Sequence, residues 1–214
     1  MIAQFIAVVV IAYLLGSIPF GLIISKLKSG VDVRGSGSGK TGATNVMRTA
    51  GTRLGLLTVA LDVGKAAGAV IIATVIIDSG SGSLTLGGAP ILWLHAGQVA
   101  AGMAAVAGHN WPVFARFKGG RGVTAYFGTL FAIYPPAGIF GAQVVAIAAL
   151  RSRHMSLGSI MGASAALCLM IPLTIAYNFP PIYLAYCAAA VALIVVQHAD
   201  NIKRLRQGTE RRLW

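Results

Sequence analysis

Uncharged apolar runs of membrane length alternate with short basic segments along these 214 residues, and this alternation predicts the architecture. Residues 2–24 carry no charge. At about 1.5 Å per residue such a run crosses the roughly 30 Å of a hydrocarbon core. It is too long for a signal-peptide core and lacks the basic lead and small-residue cleavage site, so it predicts a retained first span. Further spans are predicted over 54–77, 90–107, 157–177 and 181–196. The region 123–150 contains Pro135-Pro136 at its centre, where two missing donors and the restricted residue before them favour a turn between two short helices.

The basic residues support that division. Six Lys/Arg fall in 26–53, three in 108–122, two in 151–156 and five in 199–214, sixteen of the seventeen in the chain, whereas 78–89, 134–136 and 178–180 hold none. With two short helices in 123–150 every one of those basic segments lies on the same side, as cytoplasmic loops require. The expectation is therefore one all-α integral membrane domain over 1–214. It has seven transmembrane helices, the N-terminus outside and the C-terminus cytoplasmic. The fourth and fifth are short enough to be re-entrant or buried in protein.

Composition agrees: 57% of residues are hydrophobic and 10% charged, well below the charged share of a soluble domain. The net charge of +12 is spread over four short loops as membrane orientation demands, with anionic headgroups as a further use, and no nucleic-acid motif accompanies it. Cys168 and Cys187 stand in separate apolar runs without metal-like spacing and are expected to pack.

Chemistry concentrates in three clusters on the cytoplasmic side. The first, 32–48, reads D-V-R-G-S-G-S-G-K-T-G-A-T-N-V-M-R. Gly35, Gly37, Gly39 and Gly42 are expected to turn through positive φ and bring amides to an anion, and Arg34, Lys40 and Arg48 add charge. Gly39-Lys40-Thr41 matches the end of a P-loop, but the leading glycine of that motif falls on Arg34 and no strand precedes it, which argues against an ATPase. The second cluster, 108–128, places Trp111, Phe114 and Phe117 at the headgroup boundary beside His109, Lys118, Gly119, Gly120, Arg121 and Gly122, a second candidate anion site. The third, 198–210, continues the last span as a short amphipathic helix; His198, Asn201 and Arg204 share one face of it. Within the membrane, Asp62 and Lys65 lie three residues apart and must turn away from lipid, as a structural ion pair or as support for a site. His95 is expected to make an interhelical hydrogen bond.

These residues resemble a known family. G-S-I-P-F-G at 16–21, G-S-G-x-x-G-A-T-N-V-x-R at 37–48, D-x-x-K at 62–65, G-H-x-x-P-V-F with F-K-G-G-R-G at 108–122, S-L-G-S-I at 156–160 and H-x-x-N-I-x-R-L-x-x-G-x-E at 198–210 resemble the bacterial membrane acyl-phosphate:glycerol-3-phosphate acyltransferases, the PlsY family. The ordered set spans nearly the whole chain. The resemblance implies seven helices and a site at the cytoplasmic face of the bacterial inner membrane. It implies transfer of a fatty acyl group from acyl-phosphate to the 1-position hydroxyl of sn-glycerol 3-phosphate, giving lysophosphatidate and phosphate, the first acylation of phospholipid synthesis. Ser38 matches the catalytic-loop serine; Gly42, Thr44, Asn45 and Arg48 match the phosphate-binding loop; Arg121 stands at a phosphate-contacting position usually lysine. His198 and Asn201 match the face that positions glycerol phosphate, and Asp62, Lys65, Arg204 and Glu210 are expected to support the site. The family suggests direct transfer, in which the acyl-phosphate can itself take the proton. No cofactor or metal is expected. The partners are acyl-phosphate, glycerol 3-phosphate and membrane lipid, with no nucleic acid, and the chain is expected to act as a monomer.

Three positions depart from the family pattern: Lys40 replaces asparagine, Arg121 replaces lysine, and Thr124-Ala125 inverts the usual order. An anion transporter is the main rival, although transporters place their sites near the midplane between repeats. A structural or lipid-sensing membrane protein is the third class, and it would not require so many glycines in register with hydroxyl groups. No histidine has aspartate five positions later, so the H-x-x-x-x-D signature of acyl-CoA-dependent acyltransferases is absent.

Overall fold

A computed structural model describes residues 2–81 and 89–213. The described residues form helices α1 (Ile2–Gly16), α2 (Phe20–Ser29), α3 (Ala43–Ala50), α4 (Thr52–Ser81), α5 (Ala89–Asn110), α6 (Val123–Ile133), α7 (Pro135–Ser152), α8 (Met155–Ala176), α9 (Pro181–Gln197) and α10 (Ala199–Arg206), with short 3-10 turns at Val33–Gly35 and Val113–Ala115. No strand occurs among them. Most of the basic-free segment 78–89 lies outside the described residues.

Sequence and structure differ first at the leading apolar run, predicted as one helix. It breaks between Gly16 and Phe20, because Pro19 has no amide to continue the ladder. The two pieces together still form one membrane-length element, Ile2–Ser29. The region around Pro135 divides as the prolines predict: α6 ends at Ile133, Tyr134 turns, and α7 starts on Pro135, where the missing donor costs nothing.

Four described helical stretches are long and apolar enough to cross a membrane, and five if the bent pair α9–α10 counts as one. That is fewer than the seven expected. At eleven residues, α6 spans only about 16 Å, too short to cross alone. It packs between α4 and α7, protein on both sides.

Helices approach closely where small residues face each other. A side chain on Gly16 would meet Ala105 backbone, which lets α1 lie against α5. The α7–α8 pair closes through Gly141 and Gly162, each against the other's carbonyl, the small-residue packing that membrane helices use in place of a hydrophobic drive. The core of Tyr126, Leu130, Met170, Tyr186 and Ile194 is fully enclosed. Cys187 is buried in it, whereas Cys168 is exposed on α8 rather than packed.

Candidate active site

The segment 33–41 is a loop organised by one side chain. Asn45, 2% exposed in the first turn of α3, donates through Nδ2 to the carbonyls of Val33 (2.8 Å), Lys40 (2.9 Å) and Ser36 (3.1 Å), while its Oδ1 accepts from the Ser38 amide at 2.8 Å. Of the four glycines expected at positive φ only Gly37 (58°) and Gly39 (69°) are so; a Cβ on Gly37 would sit 2.1 Å from Asn45 Oδ1. Gly42 instead has φ −72° and caps α3. Asn45, expected as a phosphate ligand, thus spends its polar atoms shaping the loop that carries Ser38 and Lys40.

The second glycine cluster docks on the first. The Thr41 amide donates to the Gly119 carbonyl at 3.3 Å, and the Gly120 amide to the His109 carbonyl at 3.0 Å. The His109 ring covers Gly120 so closely that a Cβ there would lie 2.0 Å from Nε2. Gly119 and Gly120 therefore serve the architecture, giving α5 and the first loop room to meet.

The third cluster closes from α9, α10 and the tail. His198 Nδ1 lies 2.8 Å from the Ile194 carbonyl, which can only accept, so that nitrogen carries the proton and Nε2 is left as the acceptor. Asn201 Nδ2 donates to Glu210 Oε1 at 2.6 Å, Ser156 Oγ donates to the same oxygen at 2.9 Å, and Arg204 Nε donates to Oε2 at 2.7 Å. Burial raises the Glu210 carboxyl, but these three donors outweigh it and the net shift is downward. Arg204, expected to support the site, holds Glu210.

These elements enclose a cavity of about 400 Å³. Its polar part is lined by Ser38, Lys40, Gly42, Thr44, Arg48, His109, Arg121, His198, Asn201 and Glu210, and by the hydroxyl residues Thr124, Ser156 and Ser159. Lys40, Arg48 and Arg121 give three cations against the single carboxylate of Glu210, and the first turn of α3 adds amides free of intrahelical acceptors. Burial and the neighbouring Arg121 charge push Lys40 below the usual lysine range. Arg48 also donates to the Arg211 carbonyl at 3.3 Å, drawing the tail across the cavity edge. The cavity also has an apolar lining: Val59, Val63, Phe127, Phe131, Ala142 and Val145, from α4, α6 and α7.

Two expected ligands lie elsewhere. Arg34 makes a two-pronged contact with Asp32 (Nε–Oδ1 3.0 Å, NH2–Oδ2 2.8 Å), and Lys26 adds a third bond to that carboxylate. Lys118 is exposed and does not line the cavity. Asp62 and Lys65 lie behind the cavity wall: Lys65 Nζ is 2.7 Å from Asp62 Oδ1 and donates to the Ile18 carbonyl at 2.8 Å, while His109 Nδ1 stands 3.6 Å from the same Asp62 oxygen. The pair thus joins the break in the first span to a cavity-lining histidine. His95, expected to hydrogen-bond between helices, instead packs its ring against Tyr183 of α9, centroids 5.1 Å apart and planes tilted by 55°, and does not line the cavity. Ser156 and Ser159 had a readable signal, two hydroxyls three apart at the start of an apolar helix. The apolar wall had none, because every span supplies such residues.

Comparison with known proteins converges on one family. The family description "Glycerol-3-phosphate acyltransferase" matches residues 6–208. Glycerol-3-phosphate acyltransferase 3 of Dehalococcoides mccartyi is 50% identical over 213 residues, covering 100% of this chain and 97% of that protein. The glycerol-3-phosphate acyltransferase of Zymomonas mobilis is 40% identical, covering 98% and 97%. Among solved structures, PlsY (YgiH), an integral membrane glycerol 3-phosphate acyltransferase, superposes in its glycerol 3-phosphate form with a TM-score of 0.80 at 37% identity, covering 97% of this chain and 94% of that one. Its lysophosphatidic acid form gives 0.79. Similarity in sequence and in fold, each over nearly the full length, places this chain in the PlsY family of integral membrane glycerol-3-phosphate acyltransferases.

Proposed function

We propose that this enzyme takes its acyl group from acyl-phosphate and transfers it to the 1-position hydroxyl of sn-glycerol 3-phosphate, releasing lysophosphatidate and inorganic phosphate. The observation that carries the reading is the mixed lining of the cavity: three cations and the start of α3 together with apolar side chains of α4, α6 and α7. Such a cavity suits an acyl-phosphate, whose charged end and chain need opposite surroundings, together with a second phosphate monoester. The solved forms of PlsY with glycerol 3-phosphate and lysophosphatidic acid support the acceptor and the product.

The chemistry needs no covalent enzyme intermediate. The substrate hydroxyl attacks the acyl carbonyl, the new ester C–O bond forms, the carbonyl-to-phosphate C–O bond breaks, and the departing phosphate takes the hydroxyl proton. Lys40, Arg48 and Arg121 bind the two phosphates and stabilise the charge that gathers on the leaving group. Ser38 sits beside them on the Asn45-held loop, fit to hydrogen-bond the reacting groups. His198 Nε2 is an acceptor suited to a glycerol hydroxyl. Orientation and preorganised charge of this kind account for much of the rate enhancement in such reactions. The apolar helices count as seven crossings when α6 and α7 are taken as shielded or re-entrant, with the cavity at the cytoplasmic face of the inner membrane and the chain working as a monomer.

The test is purified enzyme in detergent with palmitoyl-phosphate and glycerol 3-phosphate, following phosphate and lysophosphatidate, beside Ser38→Ala and a palmitoyl-CoA control. Product from acyl-phosphate alone, lost in the variant, supports the donor and the loop. Product from palmitoyl-CoA alone overturns the donor assignment.

A further inference from the structure

The bend between α9 and α10 holds a second concavity, away from the cavity. The two helix axes turn by 60° at His198. In the angle lies an open groove of about 470 Å³, with Val195, Val196, Ala199 and Ile202 as its floor and Lys203, Arg206 and Gln207 on its rim. Residues 199, 202, 203 and 206 share one face of α10, whereas Asn201 on the other face is 4% exposed against the cavity.

The groove is ordered along its length. Val195 and Val196 close the last turn of a span, and Val196 is 68% exposed, so this end faces lipid chains. The bend then carries two exposed cations over the end of the span. Neither Lys203 nor Arg206 enters an ion pair among the described residues. The one carboxylate of α10, Asp200, lies off this face, its charge acting on Lys40 and Arg121. Apolar floor, paired cations and an amide donor, set in that order at a membrane boundary, match one chemistry: a lipid with an anionic phosphate headgroup. A free phosphate would leave the valines unused.

We propose that the α9–α10 elbow is a binding site for an anionic phospholipid, headgroup on Lys203 and Arg206 and chain along Val195 and Val196. This site is separate from the acyl-transfer cavity and does not depend on the identity of the acyl donor.

The test uses the full-length protein in detergent micelles, with phosphatidylglycerol titrated and the bound lipid counted by native mass spectrometry, and phosphatidylcholine as the zwitterionic comparison. The wild-type chain is expected to retain phosphatidylglycerol preferentially. Lys203→Gln with Arg206→Gln is expected to weaken that binding about thirtyfold, from roughly 1 kcal/mol per interfacial cation. Ala199→Trp, which fills the floor and leaves the charges, is expected to weaken it as well. Lys28→Gln with Arg116→Gln, an equal loss of exposed charge elsewhere, is expected to leave it unchanged. Undiminished binding in Lys203→Gln/Arg206→Gln, an equal loss in the Lys28→Gln/Arg116→Gln control, or displacement of the lipid by excess inorganic phosphate would each overturn the proposal.

Discussion

Replacing Lys65 by methionine isolates the energetics of the buried pair behind the cavity. Lys65 and Asp62 side chains are 4% and 2% exposed, with Nζ 2.7 Å from Oδ1. Opposite charges near 3 Å attract by about 5 kcal/mol at an effective dielectric of 20, and breaking a buried pair by removing one partner costs about 3–5 kcal/mol, because the other charge is stranded. Lys65→Met leaves Asp62 facing only His109 at 3.6 Å and removes a donor from the Ile18 carbonyl. The expected loss is therefore about 4 kcal/mol, a large part of the roughly 5–15 kcal/mol that holds a typical domain. Asp62→Asn combined with Lys65→Met strands no charge and is expected to cost at least 2 kcal/mol less than the sum of the single changes. Equilibrium unfolding in mixed detergent micelles, run as a double-mutant cycle, measures the coupling. Additivity of the two single changes within about 0.5 kcal/mol would refute the reasoning.

Asn45→Ala removes four hydrogen bonds from the 33–41 loop and is expected to cost about 3–4 kcal/mol, with activity reduced by at least tenfold through loss of loop order, read by thermal unfolding beside turnover. Glu210 has a folded pKa below its unfolded value. Its contribution is thus present above about pH 4.5 and lost as pH falls through the folded value; a pH series of unfolding temperatures should show an acid-side decline that Glu210→Gln flattens. Lys40, pushed below the ordinary lysine range by burial and Arg121, loses its charge early on the alkaline side. The kcat/KM for glycerol 3-phosphate is expected to fall at a pH below about 10.4, and Lys40→Arg to move that fall upward.

Helix placement was legible where composition alone decides it. The runs beginning at residues 54, 157 and 181 became α4, α8 and α9, and the double proline divided α6 from α7. The break at Pro19 was missed because a proline in an otherwise apolar run also occurs inside intact membrane helices, as Pro172 does in α8. For the candidate site, the glycine-rich segments lie at or beside the cavity, but residue type did not separate cavity-lining side chains from scaffolding. Arg34 and Arg48 read alike in sequence; only the fold shows that Asp32, two residues away, occupies the former. Asn45 likewise reads as a ligand until four backbone partners are seen around it. The cavity's apolar wall depends on which faces of α4, α6 and α7 converge, a property no single segment carries.

The lysine contact with Ile18 bears on how the chain enters the bilayer. At the break between α1 and α2 the Ile18 carbonyl is met locally only by the cramped turn donor Phe20 N, and the Asp62–Lys65 pair arrives one helix later with ammonium protons still to place. An unsatisfied backbone group in hydrocarbon costs several kcal/mol, so each segment alone is a poor passenger. Each supplies what the other lacks. The first and second membrane elements are therefore expected to enter the bilayer more readily as a pair than one after the other, with Lys65→Met lowering the yield of inserted protein.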